Sequence, residues 1–448
     1  MSIGLAAGAA AFGIPMPVPA FGVQDYPAEY CLFHHDRHTA APFDLGTAAA
    51  IHLGNTNSCI AGYDLDPGTG TGTGGNYYQL CIPSWVAVTE NGTLAGEAAM
   101  NHAAVSPGTA ISGFMRFMNR RPVNQVPPPL LQHPEVKSAM ELVPFRFVEW
   151  LGLAAIQVET ADHQVKVFSV THLAAVLIAE LKHRAEAHLG RHISHAVIAV
   201  PRHLTYGGRQ DVVFAASIWG GFRGGGVKAI DQQIAAAAAY GHHTEQGDGK
   251  TILVFRVGGR TSDATIFKFV HGAARYLYSQ DDYFLGGEDL TARIVDYMSE
   301  LIKQRHRWDI RQDGKALRRL RVACEHAKKA LSDQEETLVQ VVDGAGVSFS
   351  APLTRAKFEE LNQDLLDRAM ALVDGAVRRS GGRQPRGAES PQDMVDEIVL
   401  VGGSARISRF RQLVQDYMGG REPNSRKGVE TEEAIVHGAA ILSRPEAA

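Results

Sequence analysis

The sequence predicts an α/β protein built as two lobes that face one ligand across a cleft. Three observations carry this reading. The chain has 448 residues, enough for two or three domains and a large buried core. Strand-like apolar runs alternate with segments of helical periodicity along most of its length. One unit, a strand, a glycine turn, a second strand and then a helix, occurs twice, around Gly54 and around Gly258. Such a duplication suits two halves closing on a shared ligand.

Residues 1–46 read as an arm. Its start, "MSIGLAAGAAAFGIPMPVPAFGV", is apolar, but Pro15, Pro17 and Pro19 would break a spanning helix and no basic residue precedes Arg37. Neither a signal peptide nor a membrane anchor is expected there. His34, His35 and His38 in "HHDRH" are metal-ligating types, but His clusters in such arms are more often solvated, and the solvated reading is taken.

The first lobe is expected over 47–245, with a peripheral subdomain at 82–168. "TAAAIHLGNTNSCIAGYDL" reads as two strands joined by a turn at Gly54, Asn55 and Thr56, and "GTGTGTGG" as a loop. "CIPSWVAV" is strand-like and "GEAAMNHAAV" helical. Leu173, Val176, Leu177 and Leu181 recur at helical spacing, with Ser169 placed to cap that helix and Gly190 to stop it. "HAVIAVP" is a buried strand ending at Pro201. The second lobe is expected over 246–442, with its peripheral subdomain at 286–363. Its strands fall at 252–257 and 264–267, its helices begin near Leu290 and Lys315, and "VDEIVLVGG" leads to a helix after Ser404.

Charge excludes some partners. Forty-four Lys and Arg against 48 Asp and Glu leave a net charge of −4, so there is no basic field to hold nucleic acid or an anionic membrane. The four cysteines, Cys31, Cys59, Cys81 and Cys324, form no CxxC pair and no zinc spacing, and are expected as reduced core thiols. No metal site is expected.

Four stretches, "IHLGNTNSC", "DQQIAAAAAYG", "VFRVGGRTSDATI" and "VLVGGSARI", stand in the order of the phosphate, connecting and adenosine motifs of the actin-like ATPase fold. With "FLGGEDL", "LRRLRVACEHAKKALS", "LTRAKFEELNQDLL" and "EEAIVHGAA", the chain resembles the nucleotide-binding domain of the seventy-kilodalton heat-shock chaperones from about Thr47 to Leu442. "IPSWVAVTENGTLAGEAAMNHAAV" and "DEIVLVGGSARI" lean toward that family's endoplasmic-reticulum member, BiP. The implied fold has two lobes of two subdomains each around a nucleotide cleft, and the implied ligand is ATP or ADP.

Moving a γ-phosphoryl group to water needs a cation, acids that hold it and a polar group that positions the water. The family uses two aspartates, a glutamate and a lysine. The resemblance places these positions at His52, Arg256, Gln232 and, on a looser match, Met115. Every one has changed chemical class, and a net negative set has become a net positive one. An arginine cannot bind Mg2+ and a thioether cannot orient water as an ammonium does, so weak or absent hydrolysis is expected and the family's Mg2+ is argued against.

The binding positions carried over fare better. They are Gly54, Asn55 and Thr56 in the first turn, Gly258, Gly259, Thr261 and Asp263 in the second, and Gly286, Gly287 and Glu288 after it. Glu325, Lys328, Lys329 and Ser332 at i, i+3, i+4 and i+7 are expected on one helix face, an ordinary solvated face or the ribose and adenine wall. Gly402, Gly403, Ser404, Arg406 and Glu432 supply the other wall. Arg260, where a third glycine is usual, is expected to crowd the turn and strain its φ. Arg256 and Arg260 either pair with phosphate oxygens in place of a metal or block the pocket.

The expectation is thus a heat-shock-seventy-type domain that binds adenine nucleotide weakly or not at all, a pseudo-ATPase that engages J-domain proteins or nucleotide-exchange factors. No client-binding domain is expected after Leu442. "VPRHLTYGGRQ" keeps Pro201, Arg209 and Gln210, while Gln233 replaces a relay proline. The alternatives are an active chaperone ATPase, a sugar or glycerol kinase lacking a visible catalytic carboxylate, and a poorly folding product of duplication. The chain's own signals point to the cytoplasm, the resemblance to the endoplasmic-reticulum lumen.

Overall fold

The computed structural model describes residues 48–64, 76–118, 145–150, 153–161, 163–202, 204, 206–222, 226–244, 247–342, 348–380, 390–423 and 428–443. The N-terminal arm, its histidines, Cys31, "GTGTGTGG" and the arginine-glycine run at 223–225 lie outside these.

The first half contains β1 (Ala48–Leu53), β2 (Asn57–Asp64), β3 (Asn76–Pro83), β4 (Trp85–Thr89), β5 (Gly92–Ala95), α1 (Gly96–His102), β6 (Ala110–Ser112), β7 (Arg146–Trp150), β8 (Leu153–Glu159), β9 (Val165–Ser169), α2 (Val170–Leu189), β10 (His195–Val200), α3 (Tyr206–Ile218), β11 (Val227–Asp231) and α4 (Gln232–Ala239). The second contains β12 (Thr251–Val257), β13 (Ser262–Val270), β14 (Ala273–Asp282), α5 (Gly287–His306), α6 (Gly314–Ala330), β15 (Glu336–Val342), β16 (Ser348–Thr354), α7 (Arg355–Leu361), α8 (Gln363–Ser380), β17 (Glu397–Val401), α9 (Ser408–Tyr417) and α10 (Ala434–Leu442).

Each half rests on one mixed sheet, ordered β11-β10-β1-β2-β3 in the first and β14-β13-β12-β17 in the second. In both, an antiparallel three-strand meander is flanked by a parallel strand that returns through helices, β10 beside β1 and β17 beside β12. The duplicated turn units are therefore equivalent strand pairs of two equivalent sheets. This is the α/β actin-like architecture.

Local chemistry explains the elements. Ser169 caps α2 by accepting from the His172 amide, and Gly190 ends it at φ 67°. Helix α8 buries Leu365, Leu366, Ala369, Leu372, Val373, Ala376 and Val377, a stripe at helical spacing. Truncating one of its fully buried leucines to alanine costs about 2–5 kcal/mol. No helix among the described residues is long and apolar enough to cross a membrane.

Each half has its own core, and a third core lies between them, where α4 and α10 meet over β1, β10, β12 and β17. The alanine run of α4 permits close packing, and a Cβ at Gly438 would overlap the Ala235 carbonyl. Apolar contact thereby couples the halves directly beneath the cleft.

Candidate functional site

A cleft of about 2270 Å³ opens between the halves, well above the ~300–1,000 Å³ of a typical small-molecule site. All the sequence-nominated site residues line it except Asp263 and Gly286, which stand just behind.

The first turn hangs between β1 and β2. The Gly54 amide donates to the Asn57 carbonyl at 3.1 Å, Ser84 Oγ donates to the Gly54 carbonyl at 2.7 Å, and the Arg116 amide donates to Asn55 Oδ1 at 2.9 Å. In the second turn, between β12 and β13, the Gly258 amide donates to the Thr261 carbonyl at 2.9 Å. Its carbonyls face α5: Gly258 accepts from the Gly287 amide at 2.9 Å and Gly259 from the Glu288 amide at 2.7 Å. Ser404 Oγ donates to the Gly258 carbonyl at 2.9 Å. The turns meet across the cleft, since a Cβ on Gly259 would overlap Thr56 Oγ1.

Arg256 and Asp263 are direct cross-strand partners on β12 and β13. Arg256 Nε donates to Asp263 Oδ2 at 2.5 Å, and its Nη2 donates to Thr261 Oγ1 at 2.9 Å. Gln233 Nε2 donates to Asp263 Oδ1 at 2.6 Å, so the acid is buried and its charge is already met. The arginine thus pairs with the acid of its own turn. Gln233, noted in the sequence only as a missing proline, is part of this site. Nothing local marked it.

His52 sits on β1 opposite Cys59. Burial first, and then the Arg256 charge, push its pKa down to about 3, so the ring is neutral near pH 7 and too weak a base to activate water. Gln232 is buried and its amide cannot take a proton. Met115 is buried in a single 3₁₀ turn, Met115–Phe117. Beside it the buried Arg116 guanidinium lies 4.9 Å from the Phe117 ring and 5.4 Å from that of Phe284.

Arg260 departs from the expectation of strain. It is not among the non-glycine residues with positive φ, so its backbone is unstrained. The crowding is carried by the side chain, which pairs with Glu288 and lies against Gly113 of the opposite half. Nearby, burial raises the Asp289 carboxyl to about 6 although Arg260 and Arg116 oppose the shift.

The residues present do not fit Mg2+. At the two positions where the resemblance places acids stand His52 and Arg256, the guanidinium of Arg256 is committed to Asp263, and no group of three or more His, Cys, Asp or Glu among the described residues is placed to hold a metal.

Across the cleft, α6 ends at Ala330, so Ser332 lies in the following turn rather than on the helix face expected. The reading of an ordinary solvated face also fails. Lys328 is buried, and its Nζ donates to the Gly287 carbonyl at 2.7 Å, Thr291 Oγ1 at 3.0 Å and Glu325 Oε2 at 2.7 Å. Burial pulls the Lys328 pKa down against the pull of Glu325, whereas Lys328 lowers that of Glu325 against burial. Lys329 stays exposed, 3.8 Å from Glu325. On the facing wall Gly402 takes φ 102°, a conformation only glycine adopts freely, and Arg406 Nη1 donates to Glu432 Oε1 at 3.1 Å.

Two features went unread in the sequence. Asp231, at the end of β11, is buried and pairs with Arg209 and Arg202, and accepts from the Tyr276 hydroxyl of the other half. Cys59 and Cys81, direct partners on β2 and β3, form a disulfide at the cleft wall, which corrects the expectation of reduced thiols. Cys324 is free and buried, with its pKa pushed up to about 12.

The family model described as Hsp70 protein matches residues 48–444. The chain belongs to the Hsp70 family. Among similar proteins, the heat shock 70 kDa protein BIP3 of Oryza sativa is 38% identical over 398 residues, 88% of this chain and 56% of the relative. The heat shock 70 kDa protein of Neurospora crassa is 34% identical over 89% of this chain and 58% of its own length. Heat shock 70 kDa protein 2 of Paracoccidioides lutzii is 33% identical over 89% and 57%. This Hsp70 chain therefore spans a little over half the length of the curated relatives it matches, and family ATPase domains of this kind bind ATP and ADP.

Proposed function

We propose that this Hsp70 domain holds adenine nucleotides through their adenosine end, without a divalent cation, and turns ATP over poorly or not at all. The Arg256–Asp263 pair carries the reading. A guanidinium committed to the acid leaves no ligand pair for Mg2+, and neutral His52, amide Gln232 and thioether Met115 offer no base and no charge for an attacking water. The α6 wall and the Gly402–Gly403 wall retain polar groups and close backbone approach for a nucleoside.

Its role is a pseudo-ATPase that acts on the chaperone system by engaging J-domain proteins or nucleotide-exchange factors. The Cys59–Cys81 disulfide and the BiP-like stretches support placement in the endoplasmic-reticulum lumen, where disulfides persist.

Calorimetric titration with adenosine and ADP, with and without magnesium, tests the reading together with phosphate release from ATP. Binding heat that magnesium leaves unchanged, and no phosphate release, is expected. Heat that appears only with magnesium, or measurable turnover, would return an active chaperone ATPase to first place.

A further inference from the structure

Resting on the adenosine reading of this cleft, we infer that Arg260 sets the length of ligand it accepts. Adenosine and its monophosphate bind freely, and the di- and triphosphates bind more weakly.

Arg260 follows Gly258 and Gly259 in the second turn, and a Cβ at Gly286 would overlap its backbone, so its main chain has no room to withdraw. The side chain crosses the cleft to the segment that carries Met115. A Cβ at Gly113 would stand 2.7 Å from Arg260 Cζ and 3.0 Å from its Cδ, so the guanidinium lies on backbone that only a glycine leaves open. Gly113 has φ 66°, a second reason for that residue there. Beside this bridge Thr56 abuts Gly259. The polyphosphate end is thus spanned by protein atoms from both halves.

Charge points the same way. Arg260 is already paired with Glu288, whose carboxylate sits in the first turn of α5, and side-chain exposures of 17% and 24% keep the pair largely from water. A β-phosphate entering here would have to pull the arginine away and leave Glu288 facing it, with like charges at short range in a poorly solvated place. The Gly258 amide is already bonded to the Thr261 carbonyl, and the Gly258 and Gly259 carbonyls face α5.

The test is metal-free calorimetric titration of the full chain with adenosine, AMP, ADP and ATP. The wild type is compared with Arg260→Gly, which restores the usual turn residue, and with Arg260→Ala, which removes the side chain and keeps a Cβ. Wild type is expected to bind adenosine and AMP comparably, and ADP and ATP about tenfold or more weakly. Both variants are expected to gain about tenfold for ADP and ATP with adenosine unchanged. Wild type binding ADP at least as tightly as AMP, or variants that bind ADP more weakly, would make Arg260 a phosphate ligand and overturn the inference. No adenosine binding by any of the three proteins would instead bring down the adenosine reading, and the inference with it.

Discussion

Arg256 of one strand and Asp263 of the next hold each other directly across the β12–β13 ladder, at 2.5 Å between Nε and Oδ2. A cation of the protein thus neutralises a buried carboxylate beside the second turn.

Removing the arginine leaves a buried carboxylate with only Gln233 and no cation. Arg256→Ala is expected to cost about 3–5 kcal/mol in urea unfolding. The double variant Arg256→Ala with Asp263→Ala should recover most of that loss. A single variant as stable as wild type would show the pair to be unimportant.

His52 makes the protein acid-sensitive. Its folded pKa lies near 3 and its unfolded value near 6.5, so below 6.5 the unfolded chain binds the proton more readily than the fold does. Stability therefore falls as pH drops through that window, by up to about 1.4 kcal/mol per unit from this group alone. His52→Asn should flatten the slope of urea midpoint against pH between pH 6 and 4, taken as about that range. Parallel slopes would refute the assignment.

The Cys59–Cys81 bond closes a loop of 22 residues in sequence separation, and chain-entropy arguments value such a link at about 3 kcal/mol. Dithiothreitol, or Cys81→Ser, should lower the denaturation midpoint accordingly, and the reductant should have no further effect on the variant.

Lys328 joins Gly287, Thr291 and Glu325, tying α5 to α6 at the wall of the cleft. Lys328→Met is expected to cost about 2 kcal/mol in thermal unfolding, since Glu325 is partly exposed and can rehydrate. Adenosine binding should be lost at temperatures where the variant remains folded. Undiminished adenosine heat would remove α6 from the site.

Much of the fold and of the cleft was legible in the chain. Glycine turns between strand patterns, the cap at Ser169 and the stop at Gly190 follow from local backbone preference and apolar period, which depend on neighbours in sequence. The residue types at His52, Met115, Gln232 and Arg256 were equally plain, because residue chemistry needs no coordinates. What those residues touch was not. Whether Arg256 met a phosphate or Asp263 depended on the register of β12 against β13. The disulfide depended on β2 and β3 placing Cys59 opposite Cys81. The burial of Lys328 required the start of α5 to pack over α6, and the reach of Arg260 to Gly113 required the halves to stand where the α4–α10 core holds them. Sequence by itself determined the repeated strand–turn units and the residue types that stand at the turns; tertiary structure decided which charges neutralise one another, because such pairing is set by distances between segments far apart along the chain.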